Sequence, residues 1–378
     1  MLKCQVRFSP VPCLHNKRKY GIFEKNTVMK ILLMTTSSTI AGTEKNVLSL
    51  AVFLKSLGHD PELLTFEGDG SLNAEFVERS IPAHLLDIKR KPLSLLGLGR
   101  FLKNGRYGIV HSFLFHANIL SRVFAPAGVL LINSYRSEDK WKRWYHYLIE
   151  RITIKRTDAI TVNFPADALF LKKHGIKTSV YIPNGTTLKE RVLPPRRPFT
   201  VALIGRFHKV KGHRELIEAY ASVKGLFGAR DIRFVFRGKG PLKRSIEELI
   251  KREPQQPFFL EPFTENEREL YSGISAVICV SRYEGFPNTL LESAAYGIPA
   301  LSFRAGAAAE IILDGTTGFL VDDFRGLFVK IALLYDNEEL FGRMCRAAHE
   351  HAKKEFSSDR VNDRYRSLYR THCKGGEV

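Results

Sequence analysis

Short, continuous apolar runs alternate along this chain with segments of helical period. KILLMTT at 30–36 is uninterrupted in the way of strands buried on both faces of a parallel sheet. A loop, SSTIAGTEKN, follows, and then VLSLAVFLKSLG, whose apolar spacing predicts a helix ending at Gly58. Further strands are predicted at 61–66, 83–88, 108–114, 129–135, 158–163 and 179–185, with helical patterns between most of them. Strands alternating with helices imply a parallel sheet with right-handed crossovers.

A second series begins after LPPRRP at 193–198, which is proline-rich, basic and without period, and reads as a linker. FTVALIGRF, RFVFRGKG, PFFLEPF, AVICVS, PALSF and GFLV read as its strands. Helices are predicted around 213–224, 241–251, 265–272, 289–296 and 307–313, and the end, 340–369, is helical in period and rich in arginine. A chain of 378 residues exceeds what one hydrophobic core usually serves, so two domains of about 150–200 residues are expected. The expected division is a basic extension at 1–28, an α/β domain at 29–192, a second α/β domain at 199–355 and a C-terminal helical segment at 356–378. Two Rossmann-like domains in tandem leave a cleft between them, and ligands of open parallel sheets sit beyond the carboxyl ends of the strands.

Composition narrows the partners. With 44% hydrophobic and 26% charged residues the chain is an ordinary globular one, but 58 Lys and Arg against 39 Asp and Glu leave a net charge of +19. Such a surface attracts phosphates, anionic lipid or nucleic acid. No nucleic-acid module signature accompanies the charge, so nucleic acid is not the expected partner. The five cysteines are scattered and contain no C-x-x-C pair, which speaks against a disulfide framework and a zinc site and for a reducing compartment. Apolar runs such as VLLI at 129–132 fall far short of the roughly 20 residues that span a bilayer. Residues 1–28 lack the apolar region of a secretory signal, and Met29-Lys30-ILLM reads like a natural start, so this segment is set aside as an extension or a misassigned start.

Two clusters carry candidate chemistry. In SRYEGFPNTLLESAAYGIPA, a loop from Ser281 to Phe286 leads into a helix that Pro287 opens and Gly297 closes. The free amides near Asn288–Leu290 form an anion site suited to a diphosphate. Glu284 on the loop can bind sugar hydroxyls, and Glu292 in the helix can accept two hydrogen bonds from a ribose diol. By spacing alone they read equally well as a helix-dipole partner and a solvated helix residue. The second cluster, FTVALIGRFHKVKGHRELIEAY, places Gly205-Arg206 and Lys211-Gly212 on one strand-to-helix loop. Two cations there can neutralise a diphosphate leaving group without a metal.

The pair G-R-x4-K-G and E-G-F-P-N-x3-E, with FRGKGPL between them and GAAAEIILDGTTGFLV after, resembles the donor-binding half of glycosyltransferase family 4. The likeness is specific over about 200–325 and weaker over 29–370, where A-G-T-E at 41–44 resembles a G-G-x-E loop and IPNG at 182–185 the last strand of the first domain. The resemblance implies a GT-B fold, two Rossmann-like domains facing across a cleft, with the C-terminal helix crossing back to the first domain. It also implies a retaining enzyme. Arg206 and Lys211 would bind the nucleotide diphosphate beside Gly205 and Gly238. Glu284 and the Gly285-Phe286-Pro287 backbone would hold the donor sugar, Asn288, Thr289 and Leu290 the phosphates, and Glu292 the ribose. Gly42 would let the first-domain loop approach the same phosphates. A histidine facing the donor sugar is His116 or His111, with His116 preferred, so Glu284, His116, Arg206 and Lys211 are the catalytic candidates.

The departures bear on substrate. Ala41 replaces the first glycine of the loop, and Glu261-Pro262 stand where the family has a glycine ahead of the base pocket, which leaves the base open. No D-x-D motif is placed to bind a metal, so neither a metal nor a cofactor is expected, and the nucleotide diphosphate sugar serves as co-substrate. Residues 136–156 hold both tryptophans, Trp141 and Trp144, with seven Lys and Arg against three Asp and Glu, a net +4. Aromatics among cations suit an anionic membrane surface, although a half-buried helix with solvated cations fits as well. The expectation is a cytoplasmic enzyme, peripheral on the cytoplasmic face of the inner membrane, that transfers a sugar to an envelope glycan or lipid-linked acceptor. An epimerase or hydrolase of the same architecture, and a non-catalytic nucleotide-sugar binder, are the alternatives. A nicotinamide oxidoreductase is disfavoured, because SSTIAGTEKN has no G-x-G-x-x-G.

Overall fold

The computed structural model describes residues 28–136, 142–173, 179–190, 194–228, 230–252 and 256–373. It divides into two compact units, 1–183 with 362–378, and 184–361. Trp141 and most of the 1–28 extension lie outside the described residues.

In the first unit the apolar runs form β1 (Lys30–Ser37), β2 (Asp60–Glu67), β3 (Ala83–Leu85), β4 (Ile109–Phe113), β5 (Leu130–Tyr135), β6 (Ala159–Val162) and β7 (Val180–Tyr181). They pair in parallel in the order β3-β2-β1-β4-β5-β6-β7. The helices are α1 (Gly42–Ser56), α2 (Ser71–Glu78), α3 (Leu98–Asn104), α4 (Phe115–Phe124), α5 (Trp144–Thr153) and α6 (Pro165–Lys173). Strand order runs outward from β1 in one direction through β2 and β3, then in the other from β4 to β7. Right-handed crossovers therefore put α1 and α2 on one face and α3 to α6 on the other. Alternate residues of β1 and β4 serve the two faces: Leu32, Met34 and Val110 pack with Leu98, Leu102 and Ala117 of α3 and α4.

The second unit repeats the plan with β8 (Phe199–Ile204), β9 (Ile232–Arg237), β10 (Phe258–Glu261), β11 (Ala276–Cys279), β12 (Ala300–Phe303) and β13 (Gly318–Val321), ordered β10-β9-β8-β11-β12-β13 and all parallel. Its helices are α7 (His213–Tyr220), α8 (Lys243–Arg252), α9 (Glu267–Tyr271), α10 (Asn288–Ala295), α11 (Ala308–Ile311), α12 (Phe324–Asp336) and α13 (Glu338–Phe356). One large apolar cluster fills this unit, with Phe199, Phe234, Phe236, Phe258 and Phe328 among its most buried side chains.

The last helix, α14 (Ser358–Cys373), belongs from Asn362 onward to the first unit. Asn362 donates to Ser49 Oγ of α1 (3.1 Å), and Tyr369 Oη sits 2.7 Å from His111 Nδ1 on β4, so the return expected for the C-terminal helix is present. The proline-rich stretch read as a linker lies inside the second unit. Arg196 donates to the carbonyls of Leu334 and Tyr335 (2.9 and 2.8 Å), and Ser275 Oγ donates to Pro195 O (2.5 Å). Hydrogen bonding by arginine to otherwise orphaned carbonyls at the end of α12 fixes it there. Helix α12, which the sequence reading did not anticipate, is apolar on the face that carries Leu327, Phe328, Ile331 and Leu334.

His213, at the start of α7, is buried between Phe207 and Phe236 (ring centroids 5.0 and 5.2 Å), and neither ring nitrogen has a hydrogen-bond partner among the described residues. Burial, aided by the Lys211 charge, pushes its pKa down to about 4. The unfolded chain then binds the extra proton as pH falls from about 6.5 to about 4, so this group removes up to about 3 kcal/mol of stability across that window and nothing above it. His213→Phe should flatten this acid sensitivity, checked by comparing urea midpoints of variant and wild type at pH 7 and pH 4.5. Equal losses in both proteins would contradict the assignment.

Candidate active site

In each sheet, two neighbouring strands send their following helices to opposite faces: β1 and β4 in the first unit, β8 and β11 in the second. At such a switch point the two loops diverge and leave a crevice at the carboxyl edge, where open α/β sheets take their ligands. The two strongest motifs of the sequence fall at the β8/β11 crevice. One is the loop from Gly205 to Gly212 after β8, and the other is the loop from Val280 to Pro287 after β11.

The backbone clamps these loops together. Arg282 N donates to Val210 O (3.0 Å), while Gly205 N donates to Arg237 O (3.0 Å) and Phe207 N to Lys239 O (2.8 Å) of the β9 loop. A Cβ on Gly238 would stand 1.9 Å from Gly205 O, so only glycine permits that approach. Gly306, at φ +54°, does the same beneath the β11 loop: a Cβ there would lie 2.0 Å from Glu284 O, and the next residue, Ala307, donates its amide to Gly285 O (2.9 Å). The carboxylate loop is thus supported from below by the loop after β12.

On this frame the side chains converge. Lys211 Nζ is in direct contact with Glu284 Oε1, and the same oxygen accepts from Ser281 Oγ at 2.8 Å. Both members of the ion pair remain partly solvent-accessible. Arg206 is exposed and makes no hydrogen bond or ion pair among the described residues. Phe286 and Pro287 are buried, and Pro287 is the residue before the first turn of α10 rather than within it, a shift of one position. No side chain caps α10. Leu290 N donates to Pro287 O (3.0 Å), so the open end of the helix is at Asn288 and Thr289 rather than at Leu290. Asn288 Oδ1 accepts from Asn184 Nδ2 (2.7 Å), which brings the asparagine of IPNG into the second unit beside α10.

Glu292, one turn into α10, accepts from the phenol of Tyr271 at 2.7 Å. Tyr271 is fully buried, and burial first, then the Glu292 carboxylate, raise its pKa well above the usual phenol range, so it is a permanent donor. Glu261, which replaces a glycine of the family pattern, ends β10 in a salt bridge to Arg237 (2.6 Å). That guanidinium also donates to the carbonyls of Leu270 (2.5 Å) and Ser272 (3.1 Å).

The first-unit candidates occupy the β1/β4 switch point. Gly42 is the first residue of α1, preceded by Ala41 in extended conformation. Glu44 of the same A-G-T-E stretch is buried, accepts from Thr35 Oγ1 (3.3 Å), and has its carboxyl pKa raised by burial. His116 is exposed at the second position of α4, behind Leu114, which holds a left-handed φ of +72° that a branched residue rarely adopts. His111 is different: its Nδ1 and Nε2 are taken by Tyr369 Oη and Ser134 Oγ, both at 2.7 Å, and burial holds it neutral. His111 is a core residue, and the exposed histidine is His116.

Ser281, Tyr271, Asn184 and Gly306 were not singled out from sequence. Ser281, Asn184 and Gly306 lie inside quoted stretches, but no role was given to them. Tyr271 stands 21 residues before its partner and Asn184 104 before its own, and no periodic signal links them.

A family model described as Glycosyltransferase Family 4 matches residues 40–190, and one described as Glycosyl transferases group 1 matches 198–337. The chain belongs to the family 4 glycosyltransferases. Among relatives of this glycosyltransferase family member are an N-acetyl-alpha-D-glucosaminyl L-malate synthase of Bacillus anthracis, 29% identical over 44% of each chain, and the lipopolysaccharide core biosynthesis glycosyltransferase LpsE of Rhizobium meliloti (strain 1021), 24% identical over 65% of this chain and 74% of LpsE. The match thus spans less than half the length of the first of these relatives. The fold is shared with HepE of Anabaena, solved in complex with UDP and glucose, at a TM-score of 0.77 and 16% identity over 91% of this chain and 100% of that one. The architecture is GT-B.

Gly306→Ala should cost about 2 kcal/mol or more, since strain at φ +54° adds to the backbone clash. It should also speed hydrogen exchange at the amides of 284–290, measured by mass spectrometry. Unchanged exchange there would show that the loop does not rest on Gly306.

Proposed function

We propose that this family 4 glycosyltransferase is a retaining, metal-independent enzyme that transfers a sugar from a nucleotide diphosphate sugar to an envelope glycan or lipid-linked acceptor, working at the cytoplasmic face of a membrane. The observation that carries the reading is the β8/β11 crevice, where Arg206, which has no partner among the described residues, the Lys211–Glu284 pair and the uncapped start of α10 lie on adjoining loops.

Each part has a role that follows from its chemistry. The amides opening α10 and the guanidinium of Arg206 receive the diphosphate, for which a helix N-terminus and a planar cation are both suited. Lys211 now shares its charge with Glu284. A diphosphate arriving beside it offers a second anionic partner, which frees the Glu284 carboxylate to accept from sugar hydroxyls while Ser281 keeps it oriented. As the sugar-phosphate bond breaks, negative charge grows on the leaving oxygen, and fixed cations stabilise that charge more than they stabilise the bound donor. For retention, the acceptor hydroxyl attacks the face that the diphosphate leaves, and a phosphate oxygen takes its proton. Glu292, held by Tyr271, accepts from the ribose hydroxyls.

UDP is the first nucleotide to try, since a structural neighbour was solved with it. Arg206→Ala and Lys211→Ala should each lower donor turnover at least tenfold, about 1.4 kcal/mol, with unchanged melting temperature. The measurement is release of nucleotide from UDP-sugars with and without an acceptor glycan. Wild-type rates in both variants would refute the site, and equal rates without acceptor would indicate a hydrolase or epimerase.

A further inference from the structure

Helix α5 is inverted. A helix on the surface of a globular domain turns its apolar side to the core. In α5 the side turned to the protein is polar: Glu150 is buried against Lys142 (3.1 Å), and Thr153 Oγ1 faces the Arg122 guanidinium of α4 (3.5 Å). The outward side carries Trp144, Tyr145, Leu148, Ile149 and Ile152, with Trp144 75% and Ile152 66% exposed. At 100° per residue these five fall within an arc of about 140°. Charge is as one-sided as polarity. Over 144–157 the sole carboxylate is the buried Glu150, while Arg151, Lys155 and Arg156 are exposed. On the same face of the sheet, Leu93 and Leu96 are 77% and 80% exposed on a short turn (Pro92–Gly97) beside the exposed Lys89, Arg90 and Lys91.

We propose that α5 is a bilayer-docking helix that lays its outward apolar face into the headgroup region of a membrane rich in anionic lipid, with Arg151 and Lys155 on the headgroup phosphates, while Arg156 holds the carbonyls of Val123 and Ala125 (3.1 and 2.6 Å). Charge complementarity selects this occupant: an apolar face bordered by cations, with no accessible carboxylate among the described residues of 142–157, fits an anionic bilayer, and aromatic rings at its end sit well at headgroup level. Among the described residues no helix is long and apolar enough to cross a membrane, so the contact is peripheral. The proposal deepens the lipid-linked acceptor reading and rests on it only for its purpose.

The test is flotation of the full chain with vesicles of phosphatidylcholine, with and without phosphatidylglycerol. The chain should float with the anionic vesicles and stay behind with the neutral ones. Leu148→Ser/Ile152→Ser and, separately, Arg151→Glu/Lys155→Glu should each reduce the floated fraction at least tenfold while leaving UDP binding unchanged. Equal flotation with both vesicle types, or variants that float like wild type, would overturn the proposal. So would a concentration-dependent dimer, or binding to nucleic acid, that the same substitutions abolish. Because flotation reads binding and not transfer, it can fail while the donor site stands, and the reverse.

Discussion

The parallel pairing of β8 with β11 is the constraint on which the candidate chemistry depends. Because the chain leaves β8 toward one edge of the sheet and β11 toward the other, their following loops must part at the carboxyl edge. Lys211 and Glu284, 73 residues apart in sequence, are in contact for that reason. Glycines then set how closely the loops can approach. Gly238 brings the β9 loop against Gly205, and Gly306 brings the β12 loop under Glu284. Side chains at either position would push apart the backbones that aim Arg206, Lys211 and Glu284.

The electrostatics of the site follow from its partial exposure. A Lys–Glu pair that stays partly solvent-accessible contributes little to stability, on the order of 0–1 kcal/mol. Arg206 is exposed and has no hydrogen bond or ion pair among the described residues. The buried charges elsewhere behave differently. Lys142 and Glu150 are fully enclosed and pin α5 to the domain by polar contacts, which is what releases the apolar side of that helix toward solvent.

Much of this was legible in the sequence. Apolar runs bounded by turns located the strands, because strands buried on both faces must be continuously apolar. Helix α12 escaped notice because its apolar stripe follows closely on the apolar β13, with only Asp322-Asp323 between them, although Asp323 caps the helix by accepting from Gly326 N (2.6 Å). The motif residues from Arg206 to Glu292 were readable because each sits within a few positions of a strand end, where local spacing reports position. What spacing could not show was which histidine is buried. His111 and His116 differ only in that β4 turns one toward α14, more than 250 residues away in sequence, and α4 carries the other on its exposed side. Tyr271 was hidden for the same reason, while Asn184 and Gly306 lie inside the IPNG and GAAAEIILDGTTGFLV stretches and only their contacts were hidden, since a pattern within one segment carries no trace of a contact between two.

The central claim is that the β8/β11 crevice receives a nucleoside diphosphate, with Lys211 exchanging Glu284 for phosphate. A crystal structure of the chain with UDP tests it most directly. The account predicts phosphates at the amides of Asn288 and Thr289, Arg206 and Lys211 within hydrogen-bonding distance of them, and Glu284 released from Lys211. UDP bound away from this edge, with the Lys211–Glu284 pair intact, would contradict it.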